Sequence, residues 1–315
     1  MDQQSSQSST LTYSEILRGV GQQLSTRKKD IIKRILLISW PLVVLAGVLY
    51  ITDNNGSLRR LLTDNTSLFA IISISVLLFT TVYYYFVSFI VSIEKHLWID
   101  SSFDKRPIDS KTSWRIAWKL VIPITGLILQ VFMRYYVAPI VILILGFAGL
   151  ALLSYYTNLV NLLGNSMWLV AICILLLLLA GIYMYFLRVH LRFIFFLFID
   201  RFNRENFSYR AMFKEMKQLN AVCKTEGFKK ALVVNFGSDV FYSISLFVLH
   251  AIQSGLNSLG STGGFLGAIA RPLAEESVRQ IKSYSRLTAI YLLYTQARLQ
   301  LNSQAQVENK YIYTI

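Results

Sequence analysis

The sequence predicts an all-α, polytopic integral membrane protein: a bundle of about six transmembrane helices with amphipathic or re-entrant helices on its inner face. Three observations predict it. Hydrophobic residues make up 54% of the 315-residue chain and charged residues only 15%, and the mean hydropathy is +0.49, outside the usual range of soluble domains. Apolar runs of about 20 residues recur, the length a helix needs to cross roughly 30 Å of hydrocarbon. Lys and Arg collect in alternate intervals between those runs, as they do on the cytoplasmic side of membrane proteins. The formal charge of +14 is therefore spread over several loops and forms no single basic face. That distribution suits anionic phospholipid at the cytoplasmic surface and excludes nucleic acid as the partner.

Residues 1–9, rich in Ser and Gln, are expected to be disordered. Residues 10–34 then read as a basic amphipathic cytoplasmic helix. Thr12 and Glu15 have the spacing of a capping box, with Leu11 and Ile16 as the flanking staple, and "RKKDIIKR" supplies positive charge for an anionic membrane surface. The first 30 residues lack the apolar core and cleavage site of a signal peptide. Met1-Asp2 lacks the glycine that myristoylation needs.

Residues 35–300 read as one transmembrane helical domain and 301–315 as a cytoplasmic tail. The clear spans are 35–51, 68–92, 136–156, 167–188 and 231–253. Tyr135-Tyr136 and Tyr155-Tyr156 bracket the third as interfacial aromatics, with Arg134 placed to snorkel. The preceding run "VIPITGLILQVFM", 121–133, is too short to cross and contains Pro123 and Gly126, so it is expected to be re-entrant or interfacial. Trp114, Ala117, Trp118 and Val121 lead into it at helical spacing. Of the 31 Lys and Arg, 25 fall in residues 1–34, 93–134, 188–230 and beyond 297, which places these segments and both termini in the cytoplasm. The intervening segments are neutral and rich in Asn, Ser and Gly. On this count only one crossing fits between 120 and 157.

The sixth span is the least regular. A helix is expected to begin at Pro272 and run about 30 residues, yet its first half carries Glu275, Glu276, Arg279, Lys282 and Arg286, and only 287–297 is continuously apolar. The charged half either projects outside or lines a wet interior. Gly260, Gly263, Gly264 and Gly267 just before it have the spacing of close helix approach, or belong to an outer loop.

From about residue 180 to 300 the order of elements is an apolar helix entering "FLRVHLRFIFFLFIDRFN", a short amphipathic helix "YRAMFKEMKQL", a span, and a helix ending "LTAIYLLYTQAR". With Asp200 and the pattern Tyr294-x-x-x-Arg298, this resembles the polytopic membrane module attached to some bacterial glycerophosphodiester phosphodiesterases and found alone in related membrane proteins. In that family a serine stands four residues after the alanine of the short helix; here Ala211 is followed by Glu215. The resemblance implies a membrane module and no hydrolase activity for this chain.

No catalytic or metal-binding motif occurs, and no cofactor is implied: HExxH, the Walker lysine loop, GxSxG and paired-cysteine spacings are all missing. His96, His190 and His250 lie far apart in sequence, and Cys173 and Cys223 give no disulfide framework. The polar candidates inside the apolar runs are Asn235, Asp239, Ser243 and His250, which share one helix face, with Arg286 as the expected partner of Asp239. The alternative is that "NFGSD" breaks the helix at Gly237 and Ser238 or Asp239 caps the restarted segment. Arg192, Arg201 and Arg204 are candidate lipid-headgroup contacts. These features favour a non-enzymatic envelope or lipid-organising accessory. A transporter or channel with a polar site around Asp239 is the second reading, and a lipid-modifying enzyme the third.

Overall fold

The computed structural model describes residues 11–55, 66–103, 108–157, 167–202 and 207–312, and every element among them is a helix. In chain order these are α1 (Tyr13–Asn54), α2 (Thr66–Phe103), α3 (Ser110–Val131), a π-turn (Phe132–Tyr136), α4 (Val137–Thr157), α5 (Met167–His190), α6 (Ile194–Phe202), α7 (Tyr209–Val222), α8 (Lys224–Asn257) and α9 (Gly260–Ile312). Five stretches are long and apolar enough to cross a membrane: Tyr13–Asn54, Ser73–Phe103, Ser110–Leu152, Ala171–Phe202 and Glu226–Asn257. The all-α membrane class is thus observed. The expected disorder of 1–9 lies outside the described residues, as does most of the first two neutral intervals between the basic segments.

Several helices run across the boundaries expected from sequence. The helix expected over 10–34 and the span over 35–51 are a single 42-residue helix, α1, because no Gly or Pro interrupts residues 22–40. It starts as expected: Thr12 accepts from the Glu15 amide and the Glu15 carboxylate accepts from the Thr12 amide at 2.7 Å. Pro41 lies inside α1, where it cannot donate to the Leu37 carbonyl four residues back. The Tyr83 hydroxyl of α2 donates to that carbonyl instead, at 3.0 Å, and accepts from the Trp40 indole at 2.9 Å. A span containing proline thereby keeps its backbone satisfied, as lipid requires.

The re-entrant segment expected at 121–133 is not there. Residues 110–157 are helical throughout, with a π-turn at Phe132–Tyr136 joining α3 to α4. Pro123 is carried within α3. Gly126 serves a close approach, since a Cβ there would lie 3.1 Å from the Tyr209 hydroxyl. Pro272 likewise sits inside α9 and does not begin it. The outer loop expected around 254–264 shrinks to Ser258 and Leu259 between α8 and α9, with Gly260 at φ +83° making the turn. The segment expected as a tail from 301 continues α9 to Ile312.

The chain divides into two compact units, residues 1–118 with 221–315, and residues 119–220. In the first, α9 packs along α1, α8 and α2, and α1 along α2. One end gathers the basic helix termini: Lys230 donates to the Leu11 carbonyl at 2.8 Å, Arg27 to the Ile108 carbonyl at 3.2 Å, and Tyr291 to Asp100 at 3.0 Å. At the other end Tyr50 donates to the Ser261 carbonyl at 2.5 Å, and Gly264 admits that ring, since a Cβ there would lie 2.6 Å from its oxygen.

The second unit holds an aromatic cluster of Phe198, Phe202, Phe207 and Tyr209, with adjacent ring centroids 4.9 to 5.8 Å apart. Met212, Phe213, Met216 and Leu219 form the buried stripe of α7. Tyr135 of the π-turn packs between His190 and Phe213, at 6.5 and 6.0 Å.

Candidate functional site

The charges of the first unit form a series of cross-helix contacts. At the basic end Arg34 of α1 grips Glu94 of α2 through two bonds of 2.7 and 2.8 Å, and Glu94 also accepts from Ser113 of α3 at 2.8 Å. Trp98 donates to Ser113 at 2.7 Å, and the Arg34 guanidinium lies 4.3 Å from the Trp114 ring centroid. The Glu94 side chain is fully buried, so the bidentate pair and the Ser113 hydroxyl together fasten three helices around a shielded carboxylate.

The remaining charged contacts are made on or with α9. Lys95 donates to Ser283 at 3.1 Å. Glu276, 3% exposed, accepts from Tyr84 at 3.3 Å and is bound by Arg279 and Gln280 on its own helix. The Arg279 guanidinium stacks 4.6 Å from the Tyr84 ring centroid. Lys282 meets Asp239 of α8 at 2.6 Å and lies 4.3 Å from the Tyr242 ring. Arg271 and Glu275 pair at 2.6 Å one turn apart.

Arg271, Pro272, Glu275, Glu276 and Arg279 of α9 form one wall of an open cleft of about 290 Å³. Leu42, Leu45, Ala46 and Leu49 of α1 form the opposing wall, at the spacing that puts four residues on one helix face. Tyr84 and Tyr242 contribute from α2 and α8. Counted from Asn54 of α1 and Gly260 of α9 at about 1.5 Å per residue, the cleft extends from about 8 to about 28 Å from that end of the bundle, beside the apolar part of α1, which is long enough to cross a membrane.

The structure distributes the residues singled out by sequence. Asp239 is neither a cap nor a partner of Arg286: α8 runs unbroken from Lys224 through Gly237, and the carboxylate pairs with Lys282. Because α8 and α9 are antiparallel, one turn from the Asp239–Lys282 contact brings Arg286 to the level of Asn235 instead. Asn235 is 1% exposed and donates to the Ala231 carbonyl at 2.8 Å; its Oδ1 and the Arg286 Nε are both buried without a hydrogen-bond partner. Ser243 donates to the Asp239 carbonyl at 3.0 Å and is exposed, as is His250. The polar face is therefore real in register but divided between a buried and an outward portion, and none of Asn235, Asp239, Ser243, His250 or Arg286 lines the cleft.

Of the headgroup candidates, Arg192 is 7% exposed and folds back to donate to the Val189 carbonyl at 2.9 Å, with its guanidinium 4.4 Å from the Phe193 ring. Arg201 pairs with Glu215 at 2.6 Å, tying α6 to α7. Arg204 lies outside the described residues. Sequence reasoning did not single out Tyr84 or the α1 leucines, because each reads as an ordinary residue of an apolar span; Arg271 had only its apolar flanks as a signal. Among the described residues no three His, Cys, Asp or Glu side chains are grouped to hold a metal ion. Comparison with family models, with characterised proteins and with solved structures finds no match.

Proposed function

We propose that the chain is a non-enzymatic, multi-pass protein of the plasma membrane, with both termini cytoplasmic, that organises phospholipid as an envelope accessory. The observation that carries this reading is the pairing of Asp239, the acid within the apolar stretch of α8, with Lys282 of α9 at 2.6 Å. A carrier or channel site needs a charge that exchanges with water or solute, and the acid singled out for that role is occupied at 2.6 Å and stands off the cleft. The basic ends of α1, α3 and α8 supply the attraction for anionic phospholipid. The resemblance over residues 180–300 to a membrane module of lipid-related enzymes supports the same assignment.

Transport is the second reading, favoured by one feature, the exposure of the Arg271–Glu275 pair at span depth. The double variant Asp239→Asn/Lys282→Met removes one ion pair without changing net charge and separates the two. An accessory tolerates it: the variant restores normal growth to cells lacking the protein and co-purifies with as much anionic phospholipid as wild type. Loss of complementation at unchanged abundance and thermal stability assigns a charge-dependent transport role to Asp239 instead.

A further inference from the structure

Arg271 and Glu275 are 43% and 40% exposed on α9, at the depth where Val44 and Val48 of α1 and Val248 and Ile252 of α8 show exposed apolar side chains. Hydrocarbon solvates valine and isoleucine there but neither member of an ion pair. Pro272, next to Arg271, adds to the polarity, because it has no amide to donate to the Ala268 carbonyl. A polar occupant is needed, and the α1 wall of Leu42, Leu45, Ala46 and Leu49 requires it to be amphiphilic.

The charges of the cleft set its class. The exposed pair, Arg271 and Glu275, sums to zero, and Arg279 and Glu276 beside it are paired with each other. A headgroup with net charge leaves that charge unmatched at a depth where such a state is costly. A zwitterion offers a phosphate to the arginines, whose planar forks suit it, and a cation to the acids. The rings of Tyr84 and Tyr242 are already covered by Arg279 and Lys282. No open aromatic cage is left for a quaternary ammonium, whereas a primary ammonium donates directly to carboxylates. About 290 Å³ lies at the lower end of small-molecule sites, roughly 300–1,000 Å³, enough for a headgroup and too little for a whole lipid.

We propose that the cleft between α1 and α9 binds the phosphoethanolamine headgroup of a membrane phospholipid, with the acyl chains left outside along the leucine face of α1. This rests on the lipid-organising function proposed above and adds a defined site, distinct from the basic surface that attracts anionic lipid.

The test reconstitutes the full chain in nanodiscs holding phosphoethanolamine, phosphocholine and phosphoglycerol lipids in equal amounts. The protein is then transferred to mild detergent, and retained lipid is read by native mass spectrometry. Wild type retains the phosphoethanolamine lipid, enriched about tenfold over phosphocholine lipid. Leu45→Trp, which fills the cleft, and Arg271→Gln/Glu275→Gln, which removes both charges of an exposed pair and so spares the fold, each lose that enrichment. Lys28→Gln/Lys29→Gln/Lys33→Gln keeps it while retaining less phosphoglycerol lipid. Enrichment of another class, or phosphoethanolamine retention unchanged in both cleft variants, overturns the proposal. Full competition by soluble O-phosphoethanolamine at equal concentration overturns it in favour of the free headgroup as ligand. If only the lysine-dependent lipid is found, the site is wrong and the lipid-organising function stands; if no lipid is retained by any variant, both fail.

Discussion

Glu94 shows how a single side chain is held by context. Its carboxylate receives Arg34 and Ser113 and is fully shielded from solvent, so Glu94→Gln strands the Arg34 guanidinium in a buried site. Breaking one side of such a pair costs about 3–5 kcal/mol, whereas replacing both partners by apolar groups is often neutral. Glu94→Gln is accordingly expected to lower thermal stability in detergent far more than Arg34→Met/Glu94→Leu. A double variant as unstable as the two single variants together would show that the pair is not coupled. Asp239 is a milder case: its side chain is 34% exposed, which weakens the pair with Lys282. That partner was not legible in sequence. Lys282 and Arg286 are one turn apart on the same face of α9, and only the register of α8 against α9 selects between them.

At the scale of the element, glycines separate into two kinds that look alike in sequence. Gly264 sits where a Cβ would fall 2.6 Å from the Tyr50 oxygen and 3.1 Å from its ring, while Gly237 has nothing within 4 Å and lies inside a continuous helix. Gly264→Ala is expected to destabilise by about 1–3 kcal/mol through overpacking, and Gly237→Ala to stabilise by about 0.5–1 kcal/mol through the better helix propensity of alanine. Thermal unfolding of the two purified variants reads both signs, and a destabilised Gly237→Ala would restore the helix break at "NFGSD". The same reasoning explains α3. Pro123 and Gly126 read as breakers, but the proline costs one hydrogen bond in a helix of 22 residues and the glycine makes room for Tyr209. Glu215 gains a reason too: it is the ion-pair partner of Arg201.

At the scale of the molecule, the strongest sequence signal is the alternation of basic and neutral intervals, and it makes orientation testable. In a cysteine-free background, Ser258→Cys, in the turn between α8 and α9, is expected to react with an impermeant thiol reagent on intact cells. Ser208→Cys, just before α7, is expected to react only after permeabilisation. Labelling at 208 and not at 258 reverses the orientation. The helical run from Ser110 to Thr157, with its π-turn, stands where a re-entrant segment plus a span is expected. It leaves the count of crossings between the basic intervals unchanged.

The sequence by itself determined the class of the molecule, five of its stretches long and apolar enough to cross a membrane, the Thr12–Glu15 cap and the alternation of basic and neutral intervals. These depend on composition, period and local hydrogen bonding, which are properties of neighbours along the chain. Tertiary structure alone decided where α1, α3 and α9 continue past residues that locally favour a break, because Tyr83 satisfies the Leu37 carbonyl freed by Pro41 and a packed neighbour occupies the space left by Gly126. It alone paired Asp239 with Lys282 and set the α1 leucines against the α9 charges. A cleft is made by side chains more than 200 residues apart in sequence, and their meeting is fixed by helix register, which no stretch of either helix encodes alone.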